Sequence, residues 1–303
     1  MFFSIVITTY NAEKFLIDAL NSLKNQTFQD FECIITDDFS TDKTLDVCKQ
    51  WLSENPKFQA RTQIIEHPEN TGVSANTNRG LKAASCEWIQ VLSADDMFPK
   101  DSLEKAHTFI LEHPECSIFQ GVAAVYRNHF NEQNFLRYRV ENFKKTNFLA
   151  LSAEKQYQQL LYCCSVVSPA VFYKKTIVEE VGFCDETIPL IDDWPLWLKI
   201  TKAGYKFYFL NEVLINYRLH EHSLSNENQG VFVSDLHRKN RPVFKRYIFP
   251  NISPFKVVSH NFTYVFKEVL FRFFNSEKNR FSKAVLLVLR FFKRKVFKIN
   301  TAF

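Results

Sequence analysis

The chain has 303 residues, 46% of them hydrophobic, with 32 phenylalanines and only 6 glycines. That is enough apolar material for one large domain, or a domain with an appendage, and neither G-x-G-x-x-G nor G-x-x-x-x-G-K occurs, which argues against a glycine-rich phosphate loop and a dinucleotide-binding dehydrogenase. The net charge of +5 is uneven: residues 255–303 carry eleven Lys or Arg against two Glu, a net of +9, leaving −4 on the remainder, so the globular part is a poor nucleic-acid ligand while the tail suits an anionic partner.

The seven cysteines are odd in number, form no C-x-x-C and sit mostly in apolar runs, as reduced core thiols of a cytoplasmic protein do. Met1-Phe2-Phe3 lacks the basic start of a signal peptide, and no apolar run approaches the roughly 20 residues that span a bilayer.

In chain order, Phe3 to Thr9 predicts a strand and Ala12 to Gln26 a helix with Phe15, Ala19, Leu20 and Leu23 on one stripe. Phe31 to Thr36 is a second strand, ended by Asp37-Asp38; Ser40 or Thr41 is placed to cap a helix over Lys43 to Leu52. Thr62 to Glu66 is a strand, Asn70-Thr71-Gly72 a turn, and Ser74 to Ala84 a helix. Trp88 to Leu92 is an apolar strand that stops at Asp95-Asp96, followed by a helix over Ser102 to His113 and a strand over Ser117 to Tyr126. Arg127 to Lys155 has no assignable pattern. Beyond it come a strand at Pro169 to Tyr173, helices at Lys175 to Val181 and Asp192 to Ala203, and a strand-like Glu212 to Asn216. Alternating strands and helices imply an α/β fold with a mostly parallel sheet flanked by helices.

Two strands thus end in acidic pairs on the same sheet edge, where α/β ligands bind. Adjacent carboxylates repel unless compensated, and a carboxylate-lined crevice suits a divalent cation with a phosphorylated ligand, or the donor groups of a base and ribose. The plainer reading of each pair is a solvated turn with an Asx cap.

The ordered set I-V-I-T-T-Y-N, D-D-F-S-T-D, E-N-T-G-V-S-A-N-T-N-R-G, L-S-A-D-D, I-D-D-W-P-L-W-L-K-I and Y-R-L-H-E-H-S-L-S, covering Ser4 to Ser225, resembles the inverting family 2 glycosyltransferases of the GT-A fold. The resemblance implies a Rossmann-like nucleotide-diphospho-sugar transferase domain over 1–225, with a donor-binding half to about 126 and an acceptor half from about 127. Residues 226–303 would be a helical, basic amphipathic extension.

It further implies that Thr8, Tyr10 and Asp38 hold the nucleotide base, usually uracil, whose N3–H a carboxylate accepts. Asn78 falls near the donor, although Thr77 stands where the family has an arginine. Asp95 takes the metal-binding position of the D-x-D motif, with Ser93 replacing its first acid as a hydrogen-bonding partner for ribose, and His220 is a second metal-ligand candidate in the segment that closes over the donor. Mn²⁺ or Mg²⁺ is the implied cofactor, acting on the leaving diphosphate. Asp193 is the implied general base and Asp192, in place of a Glu, its partner; an acidic first turn is also what any helix prefers. One base without a covalent nucleophile implies single displacement with inversion.

At the carboxyl end, Val257 to Phe274 and Lys283 to Phe297 mix Phe, Val and Leu with Lys and Arg at helical spacing, as helices on an anionic membrane surface do. The sum is a UDP-sugar-dependent transferase for cell-envelope polysaccharide, acting on a saccharide or lipid-linked acceptor, peripheral on the cytoplasmic face of the membrane. The alternatives are a non-catalytic sugar-nucleotide-binding scaffold and a metal-dependent nucleotidyltransferase.

Overall fold

Residues 1–140, 148–164, 166–221, 223 and 239–274 are described in the computed structural model. They belong to two units, Met1–His220 and Glu221–Phe303. The predicted helix over Lys283 to Phe297 lies outside the described residues.

The first unit is built on strands β1 (Phe3–Thr9), β2 (Phe31–Asp37), β3 (Thr62–Glu66), β4 (Trp88–Ser93), β5 (Ile118–Arg127), β6 (Phe135–Arg139), β7 (Val171–Lys174) and β8 (Tyr208–Leu219). They form one sheet in the order β3-β2-β1-β4-β7-β5-β6, with β8 also along β5. The first four strands are mutually parallel, as are β5 and β8, whereas β6 and β7 run against their neighbours.

Helices α1 (Leu16–Lys24), α2 (Thr44–Glu54), α3 (Val73–Ala83), α4 (Ser102–Glu112), α5 (Ala153–Leu160), α6 (Lys175–Val181) and α7 (Asp193–Lys202) belong to the same unit. β1 and β2 are buried almost throughout because both faces of the sheet carry helices. α1 buries Leu16, Ala19, Leu20 and Leu23, the stripe that its 3.6-residue period dictates. α3 crosses β1 so closely that a Cβ at Gly80 would lie 2.2 Å from Val6 Cγ1.

Several boundaries differ from the sequence pattern. α1 begins at Leu16 rather than Ala12: residues 13–15 form a turn, and the backbone N–H groups of Asn11, Ala12 and Glu13 are held by the side chains of Ser40, Thr44 and Asp42. Ser40 and Thr41 therefore do not cap α2; the Asp42 carboxylate accepts the Thr44 N–H instead. The unassigned stretch contains β6, an exposed strand without burial periodicity, and α5, capped by Ser152. β8 spans 12 residues instead of five, with register shifts along β5.

In the second unit, α8 (Pro254–Phe274) presents Phe255, Val258, Phe262 and Val265 as exposed apolar residues. No helix among the described residues is long and apolar enough to cross a membrane.

Candidate active site

Parallel register brings the ends of β1, β2 and β4 together: Thr8 lies beside Thr36 on one side and Ser93 on the other, and Thr9 beside Asp37. Both acidic pairs stand at this edge, and Asp37, Asp38 and Asp96 are buried. Asp37 accepts the Thr9 hydroxyl (2.8 Å) and the Ser40 N–H (2.8 Å). Asp38 accepts the Thr71 hydroxyl (2.7 Å) and the N–H groups of Thr71 and Gly72, and is ion-paired with Arg79 from α3. Gly72 has φ +88°, and a Cβ there would lie 2.6 Å from Pro189. Burial opposes the charge on Asp38, yet the Thr71, Arg79 and Gly72 donors outweigh it and hold the carboxyl below its ordinary range.

Asp96 is fully buried; its Oδ1 accepts the Arg218 N–H (2.8 Å) and its Oδ2 has no hydrogen-bond partner among the described residues. Burial, and next the charge of Asp95, push it well above the ordinary carboxylate range. The physical reason is common to all three: a carboxylate removed from water must be hydrogen-bonded or neutralised.

Asp95 is different. Its Oδ2 meets His220 Nε2 at 3.0 Å, with side-chain exposures of 22% and 12%. The His220 ring lies 4.5 Å from that of Phe15. The junction is tied by Arg218, which donates to the Asp95 and Asn128 carbonyls and to Asp18 of α1, while its guanidinium lies over Phe130 (4.2 Å) and Phe15 (4.9 Å). An oxygen and a nitrogen donor side by side fit a two-point anchor for Mn²⁺ or Mg²⁺. Among the described residues no group of three or more His, Cys, Asp or Glu could hold a metal ion.

The second cluster sits at the start of α7. Ser74, Thr77 and Asn78 lie on one face of α3 by helical spacing and clasp residues 184–192. The Ser74 hydroxyl donates to the Ile188 carbonyl (2.7 Å) and the Thr77 hydroxyl to Asp192 Oδ2 (3.0 Å). The Asn78 amide donates to the Cys184 carbonyl and Glu186, and its oxygen accepts the Cys184 N–H. Asn78, 2% exposed, is thus placed as a strut between the two halves.

Asp192 is pushed up to about 6, first by burial and then by the charge of Asp193, against the opposing Thr77 hydrogen bond. Asp193 Oδ2 accepts the Ser168 hydroxyl (2.6 Å) and Oδ1 the Trp194 N–H (2.6 Å). Tyr10, 51% exposed, stands at the end of β1 with its ring open to solvent. A groove lined by Lys24, Gln29, Lys57, Phe58 and Arg61 lies at the opposite, amino-terminal edge of the strands and holds none of these residues.

Arg218, expected from the sequence to aid packing beside His220, does so, with 3% side-chain exposure. Sequence inspection missed Arg79 and Ser168. Arg79 stands inside a recognised segment, and a charged residue with 19% side-chain exposure signals an internal partner only once burial is known. Ser168 lies beside no motif.

A parallel sheet carrying acidic groups at the carboxyl ends of its strands, joined to a second half that supplies a further acidic pair, defines a nucleotide-sugar transferase architecture of the GT-A type. S. aureus TarS 1-349 has this fold with a TM-score of 0.56 and 21% identity, over 72% of this chain and 60% of that one. Its complex with UDP-GlcNAc gives 0.59 and 19%, over 90% and 73%. Mannosyltransferase PcManGT from Pyrobaculum calidifontis, in complex with GDP-Man and Mn²⁺, gives 0.56 and 15%, over 98% and 81%.

The model of "Glycosyl transferase family 2" matches residues 4–180, and the chain belongs to that family. Among its relatives is TuaG of Bacillus subtilis (strain 168), a glycosyltransferase named for teichuronic acid biosynthesis, which is 27% identical over 224 residues, 74% of this chain and 81% of TuaG.

Proposed function

We propose that the protein transfers a sugar from a UDP-sugar to a saccharide or lipid-linked acceptor with inversion, in cell-envelope polysaccharide synthesis. The observation that carries this is the pairing of Asp192 with Asp193 at the head of α7, tied through Thr77 to the helix whose Arg79 holds Asp38. Thr8, Tyr10 and Ser93 frame the nucleoside at the ends of the parallel strands: Tyr10 offers a ring for stacking and Ser93 a hydroxyl for ribose, while Asp38 anchors the Thr71–Gly72 turn and Arg79. UDP-GlcNAc in TarS and the biosynthetic name of TuaG support this donor and acceptor class.

Asp193 removes the proton of the attacking acceptor hydroxyl. As the acceptor oxygen bonds to the anomeric carbon, the bond from that carbon to the diphosphate breaks, and the nucleoside diphosphate leaves from the opposite face. Like-charge repulsion from Asp192 favours the proton's arrival on Asp193. Asp95 and His220 would hold Mn²⁺ or Mg²⁺, which when bound supplies positive charge to the diphosphate; the Mn²⁺ complex of PcManGT supports that assignment. The basic, apolar extension beyond residue 225 places the enzyme on the cytoplasmic, anionic face of the membrane, where a lipid-linked acceptor resides.

The test is Asp193→Asn in the full chain. Turnover of UDP-sugar falls about 10²–10⁴-fold, while UDP affinity and the circular-dichroism spectrum are unchanged. Wild-type turnover in the folded variant refutes the assignment. UDP binding by the wild type without turnover of any donor would favour a sugar-nucleotide-binding scaffold.

A further inference from the structure

Ser168 belongs to no motif, yet the fold spends two buried glutamines on its turn. Gln120 of β5 accepts the Val167 N–H (2.8 Å), and Gln90 of β4 donates to the Pro169 carbonyl (2.8 Å); both glutamines are fully buried. A polar side chain inside a sheet is costly unless bonded, so these two are ties that hold residues 167–169 from both sides. Between them the Ser168 hydroxyl makes two contacts: Trp197 Nε1 at 3.0 Å and Asp193 Oδ2 at 2.6 Å.

The direction of each bond follows from donor chemistry. An indole N–H only donates, so Ser168 Oγ accepts from Trp197. The hydroxyl's single proton is then committed to Asp193 Oδ2, at the length of a charge-assisted O–H···O⁻ bond. Trp197 cannot swing away: it is 3% exposed, one turn along α7 from Asp193, and packs edge-on against Tyr173 (5.9 Å) and Phe207 (5.5 Å). Asp193 Oδ1 already accepts from the Trp194 N–H, another group that cannot reverse its role. Each carboxylate oxygen therefore has one donor fixed on it, and a proton arriving on Asp193 must use the lone pairs that remain.

We propose that Ser168, oriented by Trp197, is the positioning residue of Asp193: the relay Trp197–Ser168–Asp193 fixes the carboxylate plane and selects the lone pair that meets the acceptor hydroxyl. This rests on Asp193 being the base. Thr77 does the corresponding work for Asp192, the member of the pair that burial keeps closer to neutral.

The relay is testable without a known substrate. The chain has four tryptophans, so ¹⁵N-indole spectra of the full-length protein hold four side-chain signals, and Trp197→Phe identifies the one at issue. That signal shifts in Ser168→Ala, which removes the indole's acceptor, and in Asp193→Asn, which frees the Ser168 proton from its carboxylate partner. A Trp197 signal that is unmoved in either variant overturns the proposal.

With UDP-GlcNAc as the donor probe and UDP release as the readout, Ser168→Ala lowers kcat about 10- to 100-fold with KM unchanged, and the acid limb of the pH–rate profile moves to higher pH. Ser168→Thr, which keeps the hydroxyl, restores most of the rate. A dead Asp193→Asn beside a Ser168→Ala with unchanged kcat and pH profile sinks the relay alone; an active Asp193→Asn sinks the base assignment, with the spectroscopic relay still standing.

Discussion

Asp192→Asn removes a charge from a site that disfavours it while keeping an oxygen for the Thr77 hydroxyl. Burial and Asp193 raise the Asp192 carboxyl from 3.8 to about 6 in the folded protein. Its folded value lies above its unfolded one, so the native state holds the proton longer. Stability from this group is full below about pH 3.8, falls as pH rises from there, and is fully lost above about pH 6. At 1.36 kcal/mol per pH unit the loss reaches about 3 kcal/mol at pH 8 and about half of that at pH 5.

The asparagine variant does not pay this cost. Urea unfolding of metal-free protein should find it more stable than wild type at both values, with a gap roughly twice as wide at pH 8 as at pH 5. In a domain of this size each kcal/mol moves Tm by about 2–4 °C. Turnover should fall in the same variant, because the charge that strains the fold also favours protonation of Asp193. A gap that does not change with pH, or a variant less stable at pH 8, would show that the Asp192 charge is compensated in the native state and refute the reasoning.

Calorimetric titration of UDP with and without Mn²⁺ tests the Asp95–His220 pair: affinity should rise with the ion in the wild type, and Asp95→Ala and His220→Ala should each abolish that gain while leaving metal-free binding unaltered. Equal affinity with and without the ion in the wild type would remove both residues from a metal role. Truncation after Pro254 should release the protein from anionic liposomes, and high salt should weaken the full chain's binding; a truncated protein that still sediments with the vesicles would place membrane contact elsewhere.

The alternation of strands and helices was legible because burial leaves a local trace. β1 and β4 are apolar runs, and the α1 stripe repeats every three to four residues. Where burial leaves no such trace, the pattern was silent: β6 is an exposed strand, and most of the turn around Ser168 carries no periodicity. The acidic pairs at the strand ends were visible as letters, but not how they are used. Asp37 and Asp38 look alike in sequence, yet one closes a turn on Ser40 and the other anchors Arg79 and the Gly72 turn. The two hydrogen bonds that tie Asn78 to Cys184 likewise have no sign in the sequence.

Residue order by itself determined the family, the sheet edge at which the strands end in acidic pairs, and the identity of those residues, since each is a matter of local pattern and ordered motif. Tertiary structure alone decided which carboxylates remain available. Thr77 reaches Asp192 across 115 residues, and Ser168 reaches Asp193 across 25. A hydrogen bond is decided within about 3 Å, and only folding brings those atoms that close; periodicity says which face of an element is buried, not which donor waits there.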